Sequence, residues 1–300
     1  MNRLRVEKLT KTSVVFLMVA ALLIPRTSLA AETTVDLGTT STFAVLAGET
    51  ITNTGTTTIS GDAGSDVGVY PGSSIPGEAF IVTTGTIHKG DATAYQAKQD
   101  LQIAFDDAAG RTVTTTFTGT DNQLGGKTLT TGVYRFGHAD TANLTAAQPL
   151  ILDAQGDPNA VFIFQATSDL VFASNSVVQL INGARFCRVF WQVESSATIG
   201  TNAQFVGHIF AYASISAQTG AHINGQLLAL TGQVSLDSNT TVNGLCPTVT
   251  PTISPSPTPG GGTADIPSTG DAATPLLWVG VSIVALAGLT LLFFMKKRTE

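Results

Sequence analysis

Short runs in which apolar and small polar residues alternate fill most of the chain between residues 35 and 246. Gly and Asn separate these runs, and this pattern predicts many short β-strands. Residues 91–109 differ, because their apolar positions recur at helical spacing: Ala94, Ala97, Leu101, Ala104, Phe105 and Ala108. Asp91 can cap the start of this helix and Gly110 can end it. The pattern predicts a mostly β domain with one long amphipathic helix packed on its strands.

The second half of this domain repeats. Residues 199–207, 217–225 and 236–244 align on their last glycine, at steps of 18 and 19 residues. The alignment gives two inner columns, which are Ile199, Ala217 and Leu236, and Phe205, Ile223 and Val242. A chain that turns at Gly and Asn and stacks like residues on like, at about 4.8 Å per coil, is a β-solenoid.

The first strands share this register. Residues 51–62 match residues 215–226, and residues 44–48 resemble residues 229–232. We therefore expect an N-terminal coil to stack on the C-terminal ones, with the helix as an excursion between them. The predicted solenoid is discontinuous in sequence.

The first thirty residues have the order of a secretory signal peptide. Basic side chains up to Lys11 precede an apolar run over residues 14–24, and Pro25 is followed by the small-residue site 28–30. The run is short for a membrane span, which needs roughly 20 apolar residues. We expect residues 1–30 to be cleaved, with an uncleaved anchor as the alternative.

The C-terminal region predicts a stalk and a membrane anchor. Residues 247–265 are almost entirely Thr, Pro, Ser and Gly, a composition that cannot bury a core and favours an extended stalk. Residues 275–295 carry no charge and are long enough for a transmembrane helix, and the basic residues within 296–300 should stay in the cytoplasm. The bulk of the chain is therefore expected on the outer side of the cell envelope.

A short motif lies between the stalk and the predicted span. It consists of Ile266, Pro267, Ser268, Thr269 and Gly270. In this position it resembles the sorting signal that sortase transpeptidases cut between Thr and Gly, although the usual first residue is Leu. The resemblance implies a sortase and peptidoglycan as partners. The alternative is a plain membrane anchor through residues 275–295.

Charge and cysteine content narrow the possible partners. Removing residues 1–30, with five basic and one acidic side chain, changes the formal net charge from -6 to about -10. Such an acidic body lacks the basic surface that nucleic acid requires. The two cysteines, Cys187 and Cys246, form one pair in an oxidising compartment and predict a disulfide.

Three segments resemble the ice-binding-protein-like family. They are residues 152–165 (LDAQGDPNAVFIFQ), residues 190–211 and the TIHKGDA sequence that leads into the helix. The match spans about residues 36–246. The resemblance implies a discontinuous right-handed β-solenoid of triangular section with one flanking helix, and it implies ice as the ligand of active members. We expect such a domain, over residues 35–246, to be monomeric.

A regular array of short side chains suits ice, because β-branched Thr is stiff at χ1 and carries both a methyl and a hydroxyl group. The candidate ice-facing residues come from two sources. One is the outward positions that flank the inner columns, and the other is the turns that resemble the family's Thr-(Ala/Gly)-x-(Thr/Asn) motif. These are Thr52, Thr58, Ser60, Thr198, Thr201, Gln204, Ser216, Thr219, His222, Asn224, Ser235, Ser238, Thr241 and Asn243. Bulky Gln204 and His222 would roughen such a face. Alternatively, these residues are simply what exposed strands and turns use.

Enzyme and metal signatures are missing from the sequence. His208 and His222 have no HxxxH partner and are expected to be solvated surface histidines. Acidic residues are scattered and no nucleophile motif occurs, so we predict no catalysis, no cofactor and no metal site. The competing hypothesis is a surface adhesin or structural wall protein with the same fold that binds a protein or a glycan, favoured by Val206 and Tyr212.

Overall fold

Stacked coils of short parallel strands build the structure, a computed structural model that describes residues 32–137 and 141–246. The strands form three ladders around one apolar core, and each coil contributes to all three. We name the three ladders the helix side, the hydroxyl side and the two-rank side. A rank is a row of outward-pointing side chains that runs across neighbouring strands, at matching positions of the register.

The helix side is the one on which the α-helix packs. Its strands are β1 (Phe43–Ala47), β4 (Asp66–Val69), β6 (Ile87–Lys89), β7 (Thr115–Phe117), β9 (Gly132–Phe136), β12 (Phe162–Ala166), β15 (Val189–Val193) and the second halves of β17 (Gln204–Ala211) and β19 (His222–Ala229).

The hydroxyl side contains β2 (Ile51–Thr54), β10 (Ala142–Leu144), β13 (Leu170–Phe172), β16 (Ala197–Ile199), β18 (Ile215–Ala217) and β20 (Val234–Asp237). The two-rank side contains β3 (Thr57–Ser60), β5 (Ile81–Thr83), β8 (Thr128–Leu129), β11 (Leu150–Asp153), β14 (Val178–Ile181), β21 (Thr240–Val242) and the first halves of β17 and β19.

The long strands β17 and β19 turn from the two-rank side to the helix side at Gly207 and Gly225. Both glycines have a positive φ, 111° and 143°. A Cβ on Gly225 would lie 1.8 Å from the carbonyl oxygen of Gly207, so only glycine allows the two coils to stack at this corner.

The helix α1 (Ala92–Gly110) confirms the predicted helix to within one residue. The side chain of Asp91 caps it by accepting a hydrogen bond from the backbone N–H of Ala94 at 2.9 Å. The predicted stripe from Ala94 to Ala108 is buried, and most of it packs in one apolar cluster with Phe43, Leu46 and Phe190. The helix therefore covers one side of the solenoid.

The predicted discontinuity is confirmed. The N-terminal strands β1, β2 and β3 pair with β19, β20 and β21, which come last in the sequence. Helix α1 follows β6 at one end of the stack and precedes β7, which pairs with β9 at the other end. The two parts of the chain thus meet in the interior of the stack.

One inner column differs from the prediction. Phe205 and Ile223 align as expected, but their partner in the next coil is Thr241, and Val242 points outward. The reason is the turn before β21: the connection from Leu236 to Thr240 is one residue shorter than the corresponding connection from Ala217 to His222.

The predicted disulfide is present. Cys187 and Cys246 are bonded, with their Cα atoms 5.4 Å apart. Five predicted segments lie outside the described residues. They are the signal peptide (1–30), the stalk (247–265), the sorting motif (266–270), the membrane helix (275–295) and the basic tail (296–300). Within 32–137 and 141–246, no helix is long and apolar enough to span a membrane.

Candidate functional site

The candidate residues lie on two different sides of the solenoid. Thr52, Ser235, Ser216 and Thr198 form one outward row on the hydroxyl side, joined strand by strand through the parallel register. Val171 and Asn143 continue this row. Its members are half-buried, and Asp169 and Asp237 lie beside the row, one near each edge of this side.

The remaining strand candidates lie on the two-rank side. Its first rank consists of Val177, Gln204, His222, Thr240, Thr58 and Val82. Its second rank contains Val206, Asn224, Val242 and Ser60, with Thr128, Ile151 and Gln179 on the neighbouring coils. Neither rank contains an Asp, Glu, Lys or Arg side chain. The two ranks therefore combine methyl groups with hydroxyl, amide and imidazole groups, and the charged Asp153 at the end of β11 lies outside them.

Two candidate positions are corrected by the structure. Thr241 and Asn243 point into the molecule, with exposed fractions of 0% and 1%. The side-chain amide of Asn243 donates hydrogen bonds to the backbone oxygens of Ser41 and Gly64. Because the preceding turn is one residue shorter, Thr240 and Val242 take the outward positions. The alternation of apolar and polar residues could not predict which of Thr240 and Thr241 points outward, because the two residues have the same side chain.

The turn candidates line the corner between these two sides. Backbone hydrogen bonds place Thr201, Thr219, Asp237 and Thr54 in one row. The next row holds the left-handed residues of the turn, and these are Asn202, Gly220, Ser238 and Gly55, with φ values of 55°, 69°, 51° and 66°. The candidate Ser238 is thus a turn residue, and Asp237 occupies the position that matches Thr219.

Buried polar side chains hold this corner rigid. The Nδ2 of Asn239 donates to the backbone oxygen of Gln218 at 2.8 Å, and the hydroxyl of Thr57 donates to Oδ1 of Asn53 at 2.7 Å. Asn239 and Thr57 are buried. Gln218 lies in the turn after β18, and the amide of Asn53 in turn donates to the backbone oxygen of the turn residue Gly55, so these bonds fix the backbone from which the outward ranks project.

A shallow depression lies on the two-rank side. It has a volume of about 520 Å³, and its lining includes Val178, Gln204, Val206, His222, Asn224 and Val242. The side-chain oxygen of Asn224 is buried there and has no hydrogen-bond partner.

The two histidines differ in their environments. His222 is exposed on the first rank, as expected. The expectation of a solvated His208 is wrong: it is 2% exposed and its ring stacks on Phe190 at 5.3 Å. Burial lowers the pKa of His208 to about 4, so this imidazole is neutral at pH 7. No group of three or more metal-ligating side chains occurs among the described residues.

Comparisons with known proteins agree with this architecture. An ice-binding protein of Nostoc sp. (strain HG1) is 44% identical over 208 residues, which are 69% of this chain and 73% of that protein. The crystal structure of an ice-binding protein from an Antarctic biological consortium matches with a TM-score of 0.67 and 38% identity, over 72% of this chain and 93% of that one. The ice-binding protein of the Antarctic ascomycete Antarctomyces psychrotrophicus matches with a TM-score of 0.65 and 40% identity, over 70% of this chain and 98% of that one. A family model described as Ice-binding-like matches residues 45–242, and the chain belongs to this family.

Proposed function

We propose that this protein is a non-enzymatic ice-binding protein that adsorbs to ice through its two-rank side. The observation that carries the proposal is the pair of parallel ranks that cross the stack without a charged side chain. The relatives named above are ice-binding proteins, and this supports ice as the ligand.

The physical chemistry of ice favours such a surface. An ice crystal offers only water molecules on a lattice, so it can be recognised by a rigid, regularly spaced array. Parallel ladders provide this spacing, and the β-branched Thr58, Thr240, Val82 and Val242 have restricted χ1 angles. A charged side chain would cost more to dehydrate than a hydroxyl or amide group. The two ranks avoid this cost.

The other two sides fit less well. Helix α1 covers the helix side and buries the apolar residues that project from it. The hydroxyl side offers only one complete row of short side chains, whereas the two-rank side offers two parallel ranks. A flat contact with ice is therefore best made by the two-rank side.

A matched pair of variants tests the choice of side. Thr58→Tyr combined with Thr240→Tyr places two large rings on adjacent coils of the two-rank side, because Thr58 and Thr240 are register partners. Thr52→Tyr combined with Ser235→Tyr makes the equivalent change on the hydroxyl side. We expect the first variant to lose thermal hysteresis and inhibition of ice recrystallisation, and the second to retain both, with unchanged circular dichroism in each.

The opposite result would assign the contact to the hydroxyl side. Retention of full activity by both variants would contradict a contact at either surface. A purified wild-type domain that neither shapes ice nor inhibits recrystallisation would contradict the proposed function itself.

We also propose that the protein acts while attached to the cell surface. The supporting features are the sequence of the proposed stalk, the motif from Ile266 to Gly270 and the apolar segment 275–295. A muralytic enzyme should release a product that ends at Thr269 if a sortase links the protein to peptidoglycan. Extraction by detergent alone, with residues 275–295 retained, would instead indicate a membrane anchor.

A surface adhesin is the second candidate function. The depression around Gln204, His222 and Asn224 favours it, because amide and imidazole groups above an apolar floor can hydrogen-bond the hydroxyl groups of a sugar. Tyr212, although 48% exposed, packs near Phe105 of α1 and lies away from this depression. Binding to a glycan array together with inactivity on ice would favour the adhesin.

A further inference from the structure

The described chain ends just after a short strand in the interior of the stack. Strand β21, the last in sequence, lies in the interior between β19 and β3 and pairs with each through only three residues. Past β21, the described contacts of the chain include those of Asn243, a bond from the backbone N–H of Leu245 to Asp62, and the disulfide at Cys246. Tension applied at residue 246 would first act on this short segment.

The disulfide connects residue 246 to the region of β15, so tension applied at residue 246 also acts there. Cys187 lies two residues before the start of β15, which pairs with β12 through five residues and with β17 through four. The turn around Cys187 contacts β17 and β19, the two strands that separate β15 from β21. The disulfide therefore links the end of the described chain to the start of β15, across the two intervening coils of β17 and β19.

The loop closed by the disulfide contains the strands at which the N-terminal and C-terminal parts of the chain meet. Cys187 and Cys246 are 59 residues apart, and strands β15 to β21 lie between them. The last three of these strands, β19, β20 and β21, pair with the N-terminal strands β1, β2 and β3. Peeling β21 and then β20 and β19 from the C-terminus would separate the N-terminal coils from the rest of the solenoid.

We propose that the Cys187–Cys246 disulfide transfers tension from the C-terminal tether to β15, so that this tension bypasses β21. This inference rests on the proposed surface attachment, because a tethered protein that is bound to ice or to another external surface is pulled at its C-terminal end.

Single-molecule pulling tests this role. The exported chain is held by its N-terminus and by the stalk, and the oxidised protein is compared with Cys187→Ser/Cys246→Ser. We expect the variant to show an additional early event at lower force. Releasing 59 residues at about 3.5 Å each would lengthen the chain by roughly 200 Å.

A second pulling direction separates load transfer from general stability. With handles at the N-terminus and at residue Thr198 on the hydroxyl side, tension does not enter through Cys246, and both proteins should yield at the same force. Equal weakening in both directions, or no weakening along the stalk, would overturn the proposal. Because no ice is present, this outcome does not depend on ice binding, which thermal hysteresis of the same variant measures separately.

Discussion

Gln204 and His222 are the residues that most disturb the regularity of the first rank. Both are exposed, and they stand beside the shorter Thr240 and Thr58 on the neighbouring coils. A longer side chain holds an ice surface away from its shorter neighbours and loses rotamer entropy when it is confined. The strength of adsorption is therefore expected to be limited by these two positions.

Replacing both residues tests this expectation. Gln204→Thr combined with His222→Thr should raise thermal hysteresis, because it extends the row of short β-branched side chains across two more coils. Gln233→Thr, an exposed position on the hydroxyl side, is the matched control and should leave hysteresis unchanged. Lower activity in the double variant would show that the polar groups of Gln204 and His222 bind ice directly.

His208 makes the stability of the domain dependent on pH. Its pKa is about 4 in the folded protein, against 6.5 for an unperturbed histidine, so the unfolded chain binds more protons between these values. Stability should therefore be complete above pH 6.5 and fall as the pH drops towards 4, by about 3 kcal/mol in total. Urea unfolding of wild type and His208→Leu should show a smaller loss in the variant, whereas His222→Gln should behave as wild type.

At the scale of elements, helix α1 determines which sides of the solenoid remain open. Lys98 on its buried face donates hydrogen bonds to the backbone oxygens of Ala229 and Leu230, just where β19 ends, and burial lowers the pKa of this lysine to about 7. The apolar stripe and this lysine fix the helix against the ladder. Within residues 32–137 and 141–246, no helix covers the two-rank side or the hydroxyl side.

Two positions on α1 test how much this packing contributes. Leu101 is completely buried, and Leu101→Ala should reduce the free energy of unfolding by about 2–5 kcal/mol. Ile103, two residues away, is 65% exposed, and Ile103→Ala should change stability by less than about 0.5 kcal/mol. Denaturant unfolding measures both values, and equal effects would contradict the described orientation of the helix.

The sequence was informative wherever a periodic pattern had one physical interpretation. The stripe from Ala94 to Ala108 predicted α1, and the matched glycines predicted the coils. A shortened turn changes no hydrophobic pattern, because Thr240 and Thr241 are chemically identical and either could point outward. His208 was misplaced for a related reason: its burial depends on distant segments that its neighbours in sequence do not reveal. Right-handedness and the choice of ice-facing side stay predictions.

At the scale of the whole molecule, the chain is a rearranged form of a continuous solenoid. Spatially, β21 is followed by β1 and β2 in the same turn of the stack, and the side chain of Asn243 bonds the backbone oxygen of Ser41 at 2.9 Å. The natural chain reaches the same arrangement by sending α1 along the stack from β6 to β7. Pairing β1 with β19 therefore requires closing a loop of more than one hundred residues.

A circular permutant tests whether this order matters for folding. A chain that begins at Thr112, joins Cys246 to Glu32 through a flexible linker and ends after α1 keeps every strand pair but makes β21 and β1 neighbours in sequence. Because more contacts become local, it should fold faster than the natural chain, with little change in its unfolding rate, as stopped-flow fluorescence can measure. Its thermal hysteresis should equal that of the natural domain, since the two-rank side is unchanged. A permutant that forms the solenoid no faster would mean that docking of α1, rather than joining of the two sequence segments, limits the folding rate.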